Sequence, residues 1–136
     1  MKKFKVLSVL LTLTLIVGLV SCSSGKKDTP GDSVTTLFKH IKDKDYAAAA
    51  SLYVTKKGEK LSEEEAKKIE GLLAMASKEY EKKGGLDKVT VEEETINDDG
   101  ESAKVKTTIH YKNGKTDNET MYLNKVDGKW LIKITN

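Results

Sequence analysis

The sequence predicts an α+β domain in which helices come first and then pack on a four-stranded antiparallel meander. Three observations carry this. Apolar residues recur at helical spacing up to about residue 83 and at a spacing of two from Leu86 onward. Each predicted helix opens on a capping residue: Thr29, Asp45 and Ser62. The dipeptides Asp99-Gly100, Asn113-Gly114 and Asp127-Gly128 are strong hairpin signals, and they divide the second half of the chain into four runs. A chain of 136 residues has room for one such domain with one core.

Residues 1–21 read as an export signal. Lys2, Lys3 and Lys5 form a basic start without acids, and Val6 to Val20 is an apolar run of fifteen residues broken only by Ser8, Thr12, Thr14 and Gly18. A membrane-crossing helix needs roughly 20 apolar residues, so a permanent transmembrane anchor is the weaker reading. Leu19-Val20-Ser21-Cys22 is similar to the lipobox of bacterial lipoproteins. That resemblance implies cleavage before Cys22, with diacylglycerol on its thiol, usually a further acyl chain on its new amino terminus, and a place in the cell envelope. Cys22 is the single cysteine, which rules out an internal disulfide. Residues 22–28 then form the lipidated cysteine and a tether of small and charged residues, reaching roughly 20 Å at most. Lys26 and Lys27 stand where they can meet anionic headgroups.

The domain proper is assigned to residues 29–136. Thr29-Pro30-Gly31-Asp32 opens the first helix with a hydroxyl cap, a proline at the first helical position and an early acid. Val34, Leu37, Phe38 and Ile41 follow on one stripe. Asp45 caps a second, short helix through Tyr46, Ala49, Ala50 and Tyr53, whose alanines permit close approach. Ser62-Glu63-Glu64-Glu65 is a capping box. The third helix runs from it to about Lys83, burying Ala66, Ile69, Leu73, Ala76 and Tyr80 before Gly84-Gly85 stops it.

The strands are expected near 88–97, 101–111, 115–126 and 129–135, paired in the order 1-2-3-4 with one apolar face. A three-residue loop at Lys112-Asn113-Gly114 places Val105 beside Met121 and keeps the apolar residues of both strands on one side. The same loop length at Asp98-Asp99-Gly100 sets Glu94 opposite Lys104 and Glu92 opposite Lys106 on the outer face. A two-residue turn at Asp127-Gly128 sets Leu123 beside Ile132 and Met121 beside Ile134.

Charge narrows the function classes. The chain has 24 basic residues, all lysine, and 21 acids; without Lys2, Lys3 and Lys5 the two are equal. A neutral domain without arginine lacks the planar guanidinium on which bidentate phosphate and guanine recognition leans, so nucleic-acid binding is set aside. His40 and His110 do not fall at metal-ligand spacing, and no metal or other cofactor is expected. Asp43-Lys44-Asp45 and Asn97-Asp98-Asp99 lack the alternating-acid pattern of a calcium loop and read as a cap and a turn. Asn118-Glu119-Thr120 matches a glycosylation sequon by chance in a bacterial lipoprotein.

A lipobox, a short tether, Thr29-Pro30-Gly31-Asp32-Ser33-Val34, Lys42-Asp43-Lys44-Asp45-Tyr46-Ala47-Ala48-Ala49 and the closing Val126-Asp127-Gly128-Lys129-Trp130-Leu131-Ile132 resemble small bacterial lipoproteins of domain-of-unknown-function family 4878. The likeness spans about residues 29–134. It implies a nuclear transport factor 2-like, cystatin-like fold, in which helices close one side of a curved sheet into a cone. That superfamily holds both isomerases or cyclases and non-catalytic modules, so the fold alone selects no function. An isomerase-like site needs a base and a phenol inside the cone. By strand parity Glu93 on the first strand and Tyr111 on the second face inward, and Trp130 sits on the inner face of the last strand. These three are the candidate pocket residues; none is assigned a catalytic role. Outward parity falls to Tyr122, Leu131 and Ile96, the candidate patch for a protein partner. The expectation is a lipid-anchored, non-enzymatic module that meets the membrane through Cys22. It would bind another envelope protein or a small apolar ligand, with an isomerase- or cyclase-like enzyme using the cone pocket as the alternative and a homodimer also open.

Overall fold

The computed structural model describes residues 28–136; the export signal with Leu19, Val20 and Ser21, the lipidation site Cys22 and the tether up to Lys27 lie outside the described residues. The domain is α+β, with three helices on one face of a five-stranded, mostly antiparallel sheet.

Helix α1 spans Pro30–Lys42. The Thr29 hydroxyl accepts from the Asp32 N–H at 3.1 Å, and the Asp32 carboxylate accepts from the Thr29 N–H at 3.2 Å, a reciprocal cap on top of the proline start. Val34, Leu37, Phe38 and Ile41 are buried as one stripe. Helix α2, Tyr46–Ala50, is capped by Asp45, whose carboxylate accepts from the Ala48 N–H. It is shorter than the sequence predicts. Ser51 ends it, and Tyr53–Val54 forms a strand, β1. Helix α3, Glu63–Lys82, carries the predicted Ser62–Glu65 capping box and ends at Gly84-Gly85, both at positive φ.

Strands β2 (Leu86–Ile96), β3 (Ser102–Tyr111), β4 (Thr116–Val126) and β5 (Lys129–Lys133) form the expected meander. The four-strand expectation needs one correction. β1 adds a fifth strand parallel to β5, giving the order β1-β5-β4-β3-β2, with the Ile132 and Ile134 N–H groups donating to Leu52 and Val54 carbonyls. Two residues are too few to show an alternation, which is why the sequence pattern merges them into the preceding helix.

Two of the three predicted registers hold. Val105 pairs with Met121 across the three-residue loop that ends on Gly114 (φ +89°), and Leu123 pairs with Ile132 across Asp127-Gly128. The φ values of +51° and +80° there are those of a hairpin turn with both central residues left-handed. The first hairpin differs. Its loop is one residue longer, with the Asn97 N–H donating to the Ser102 carbonyl and Ile96 paired with Ala103. A bulge between Val91 and Glu93 then restores the register at Val91–Thr107. Such a bulge turns the residues beyond it to the opposite face. Glu93 therefore pairs with Lys106 and Glu94 with Val105, in place of the predicted Glu92–Lys106 and Glu94–Lys104 pairs.

The core lies between α1, α2 and the inner face of β3, β4 and β5, around Leu37, Val34, Val105, Leu123 and Ile132. Helix α3 packs on α2 and α1 and meets the sheet chiefly at its C-terminal end. That end is pinned. The Lys112 N–H donates to the Gly85 carbonyl at 2.8 Å, the Asn113 amide donates to the Lys83 carbonyl at 2.9 Å, and Lys83 Nζ reaches Asp117 at 2.6 Å. Lys44 and Glu81 add an exposed ion pair at 2.9 Å.

Candidate ligand-binding cleft

The segment entering α3 is bridged to β1 at Val54–Lys60 and its C-terminal end is pinned at Lys83 and Gly85; between them the middle of the helix stands off β4 and β5 and leaves a cleft of about 290 Å³. One wall is helical, from Leu37, Phe38 and Ile41 of α1 and Ile69, Leu72, Leu73, Ala76 and Tyr80 of α3. The other is sheet, from Tyr53 of β1, Glu119 and Met121 of β4, and Ile132 and Ile134 at the end of β5. Leu72 stands on the α3 side of the cleft, 59% exposed.

The inner face brings the Tyr53 and Tyr80 phenols and the Glu119 carboxylate to the cleft, with Tyr111 packed behind Tyr80. Glu119 pairs with the buried Thr107 on β3, so it projects from the inner face, exposed at the cleft mouth. The Thr107 hydroxyl donates to the Glu119 carbonyl at 3.1 Å and fixes the backbone there. Among the described residues the Glu119 carboxylate joins no salt bridge. Shielding from water by the cleft wall raises its carboxyl above the ordinary value, Asp117 pushes it further up, and Lys83 opposes. Tyr53 is pushed up to about 12, first by burial and then by the charge of Glu119. Tyr80 and Tyr111 are also raised, burial being the larger cause in each, with Glu119 contributing to both. The rings are in contact as a row: Phe38 to Tyr80 at 6.1 Å and Tyr80 to Tyr111 at 6.2 Å between centroids, both tilted.

At the closed end the Tyr111 hydroxyl donates to Asp117 at 2.8 Å. Lys83 lies 5.9 Å over the same ring and 2.6 Å from the same carboxylate, which holds the Asp117 carboxyl below its ordinary value, the lysine first and the phenol second.

Of the predicted pocket residues, none lines this cleft. Glu93 faces outward on the far side of the bulge, 2.9 Å from Lys106, and that ion pair lowers its carboxyl. The expected inward carboxylate is thus a surface ion-pair partner, and it has no role on the inner face. Tyr111 does face inward, 3% exposed, but it is packed behind Tyr80 at the closed end. Trp130, 4% exposed, is a core residue that also borders two shallow depressions at the other end of the sheet, where Lys125 stands 5.7 Å over its ring. The inward turn after the bulge belongs to Glu94, whose Oε1 accepts from the Gly31 N–H at 2.8 Å and so clasps the start of α1 to the edge strand.

The outer patch is also revised. Tyr122 and Leu131 keep their outward positions, opposite Lys104 and Asn124. Ile96, paired with the buried Ala103, is on the inner side at the sheet's edge, 51% exposed. His110 is on the outer face 2.9 Å from the Thr90 hydroxyl, and His40 is half-buried on the flank of α1. Asp45 is the α2 cap, Asp43 pairs with Lys39, and Asp99 accepts from the Glu101 and Ser102 N–H groups within its turn. Among the described residues no group of three or more His, Cys, Asp or Glu side chains is placed to hold a metal, and no helix is long and apolar enough to cross a membrane.

Glu119 is the functional residue that the sequence reading passes over. The signal for it is present: the alternation that places Met121 and Leu123 inside places Asp117 and Glu119 inside as well.

Comparison with known proteins agrees with this architecture. The family model for a domain of unknown function, DUF4878, matches residues 20–133. A crystal structure from Campylobacter jejuni, of a protein named as a candidate NTF2-like transpeptidase, is similar at a TM-score of 0.64 and 25% identity, over 79% of this chain and 100% of that one. Aln2 from a Streptomyces species is similar at a TM-score of 0.43 and 18% identity, over 79% of this chain and 89% of that one. None of the curated proteins matches the chain.

Proposed function

This chain belongs to the DUF4878 family and has an NTF2-like fold, and we propose that it is a lipid-anchored envelope protein that binds a small, largely apolar molecule in the cleft beneath α3 without transforming it. The anchor follows from the Leu19-Val20-Ser21-Cys22 pattern behind a basic and apolar leader. Each buried acyl methylene contributes about 0.8 kcal/mol, and a stable anchor needs two or more chains, which a diacylglyceryl cysteine provides.

The observation that carries the binding reading is the stand-off of α3. Closing a cleft lined by Ile69, Leu72, Leu73, Met121 and Ile134 would bury apolar surface worth roughly 25 cal/mol per Å², yet the helix is held off the sheet between its two tied ends. A ligand gains that burial in its place. The name of the Campylobacter jejuni protein raises acyl transfer as a reaction. Such chemistry needs an activated nucleophile with a base in reach. The cleft wall offers threonines, phenols held well above neutral pH and Glu119, while both histidines lie outside it, which favours binding over turnover.

The test is native mass spectrometry of the mature chain from Ser23 onward, purified from its own host. A stoichiometric small-molecule adduct supports the reading. A bare mass, with a protein partner retained by the outer face and released by Leu131→Ala, overturns it in favour of a protein-interaction module.

A further inference from the structure

Resting on that cleft, we infer that its ligand is an organic cation: an amine or quaternary ammonium head held between Glu119 and the Tyr53 and Tyr80 rings, with a short apolar body along α3.

The chain displays the same chemistry once already, at the closed end of the cleft. There an ammonium, Lys83, lies over the Tyr111 ring at 5.9 Å with the Asp117 carboxylate 2.6 Å away. Phenol faces carry negative potential and attract cations, more strongly where water is thin. One step along β4, Glu119 and the next phenols repeat the combination of carboxylate and ring, and among the described residues no lysine is paired with Glu119. Lys83, the nearest cation acting on it, is committed to Asp117. Lys133 borders the cleft, but strand alternation places its side chain on the face opposite Ile132, shared with Val54.

The alternatives fit less well. An anionic head would meet Glu119 with Asp117 behind it, a repulsion that the upward push of Asp117 on Glu119 already registers. A neutral carbonyl could accept from the phenols but would leave the negative charge of Glu119 uncompensated by the ligand. A cation satisfies the carboxylate by a charge-assisted hydrogen bond and the rings by their faces. The body is set by the volume: about 290 Å³ lined by Leu72, Leu73, Met121 and Ile134 takes a short chain or a single ring, not a diacyl lipid.

The experiment is isothermal titration of the mature chain from Ser23 onward, which retains every described element, with octylamine, octanol and octanoate below their aggregation limits. The three share one body and differ in the head. Octylamine is expected to bind about tenfold more tightly than octanol, with octanoate weakest, and Glu119→Gln is expected to bring octylamine down to the octanol value while octanol binding stays. Equal affinity for amine and alcohol, or a preference that survives Glu119→Gln, overturns the cation and leaves the cleft standing. No binding of any of the three overturns the cleft and the cation together. Should Glu119→Gln not fold, the order of the three ligands on the native chain decides alone.

Discussion

Gly84→Ala tests the claim that the C-terminal end of α3 is pinned to the sheet through Gly84 and Asn113. Gly84 has φ +120°, a region essentially reserved for glycine, and forcing a side chain into it costs about 1–3 kcal/mol. A methyl group there would also stand 2.3 Å from the Asn113 amide nitrogen and 2.4 Å from its Cγ, so Asn113 has to move. Moving it breaks its 2.9 Å bond to the Lys83 carbonyl and the 3.0 Å bond it accepts from the Lys115 N–H, at about 0.5–1.5 kcal/mol each. The exposed turn can repack with water, so we expect a total of about 2–4 kcal/mol, read as a lower urea midpoint at unchanged slope. Asn113→Ala in the same background removes the collision but not the backbone strain. The double variant should therefore recover about 1 kcal/mol relative to additivity. A loss below about 0.5 kcal/mol for Gly84→Ala, the level of an ordinary surface change, refutes the reasoning, and additivity in the cycle refutes the part assigned to Asn113.

Three further outcomes are expected. Glu94→Ala should destabilise by about 1–2 kcal/mol because it leaves the buried Gly31 N–H without its 2.8 Å acceptor, whereas Glu93→Ala, which breaks only an exposed pair with Lys106, should cost less than about 1 kcal/mol; the reverse order in urea melts would show the bulge to be misplaced. Stability should fall as pH rises above about 10, because Tyr53, Tyr80 and Tyr111 hold their protons more tightly folded than unfolded, so above the unfolded value the unfolded chain binds fewer protons and the slope is negative; Tyr53 should ionise near 12, and a stability flat from pH 9 to 12 by denaturant titration contradicts this. Cys22→Ser should leave the precursor uncleaved and without lipid, seen as an unshifted band in metabolic labelling with a fatty acid, and normal processing of that variant removes the lipobox reading.

Legibility in the sequence follows the range of the interactions. Caps and tight turns are local, and Thr29, Asp45, Ser62, Gly114 and Asp127-Gly128 all do what their residue types dictate. The first hairpin fails because two irregularities cancel along the strand. A loop one residue longer and a bulge at Glu92 together leave Val91 opposite Thr107, the same pairing that the simpler loop gives. Apolar matching tests only the part of the strand beyond the bulge, where both solutions agree, while the charged run from Glu92 to Glu94 accepts either face. Parity counted without the bulge therefore selects the wrong carboxylate. Glu119 is obscured differently: its neighbours on β4 are Asp117, Asn118 and Thr120, so the alternation that marks Met121 and Leu123 dissolves into polar residues at the position where the sheet opens to the cleft.

The start of the described domain and the cleft lie at opposite ends of α1, and with the anchor proposed above this bears on the kind of molecule the cleft receives. The start of α1 lies beside Glu94 and the Trp130 end of the β4–β5 hairpin, where the Ser33 hydroxyl donates to the Trp130 carbonyl at 2.7 Å. The cleft is lined by the other half of the helix, from Leu37 to Ile41. About twelve residues of helix rise about 18 Å, comparable with the roughly 20 Å that the tether itself spans at full stretch. With Cys22 lipidated as proposed, the clasped end is the attachment point, and the mouth between α3 and β4 is at the far end of α1 from it. A lipid leaving the bilayer sideways would have to pass the whole length of α1 in water. A molecule with a charged head and a short apolar body already in the aqueous phase meets the mouth directly, and that is the ligand for which the Glu119 carboxylate and the tyrosine faces are suited.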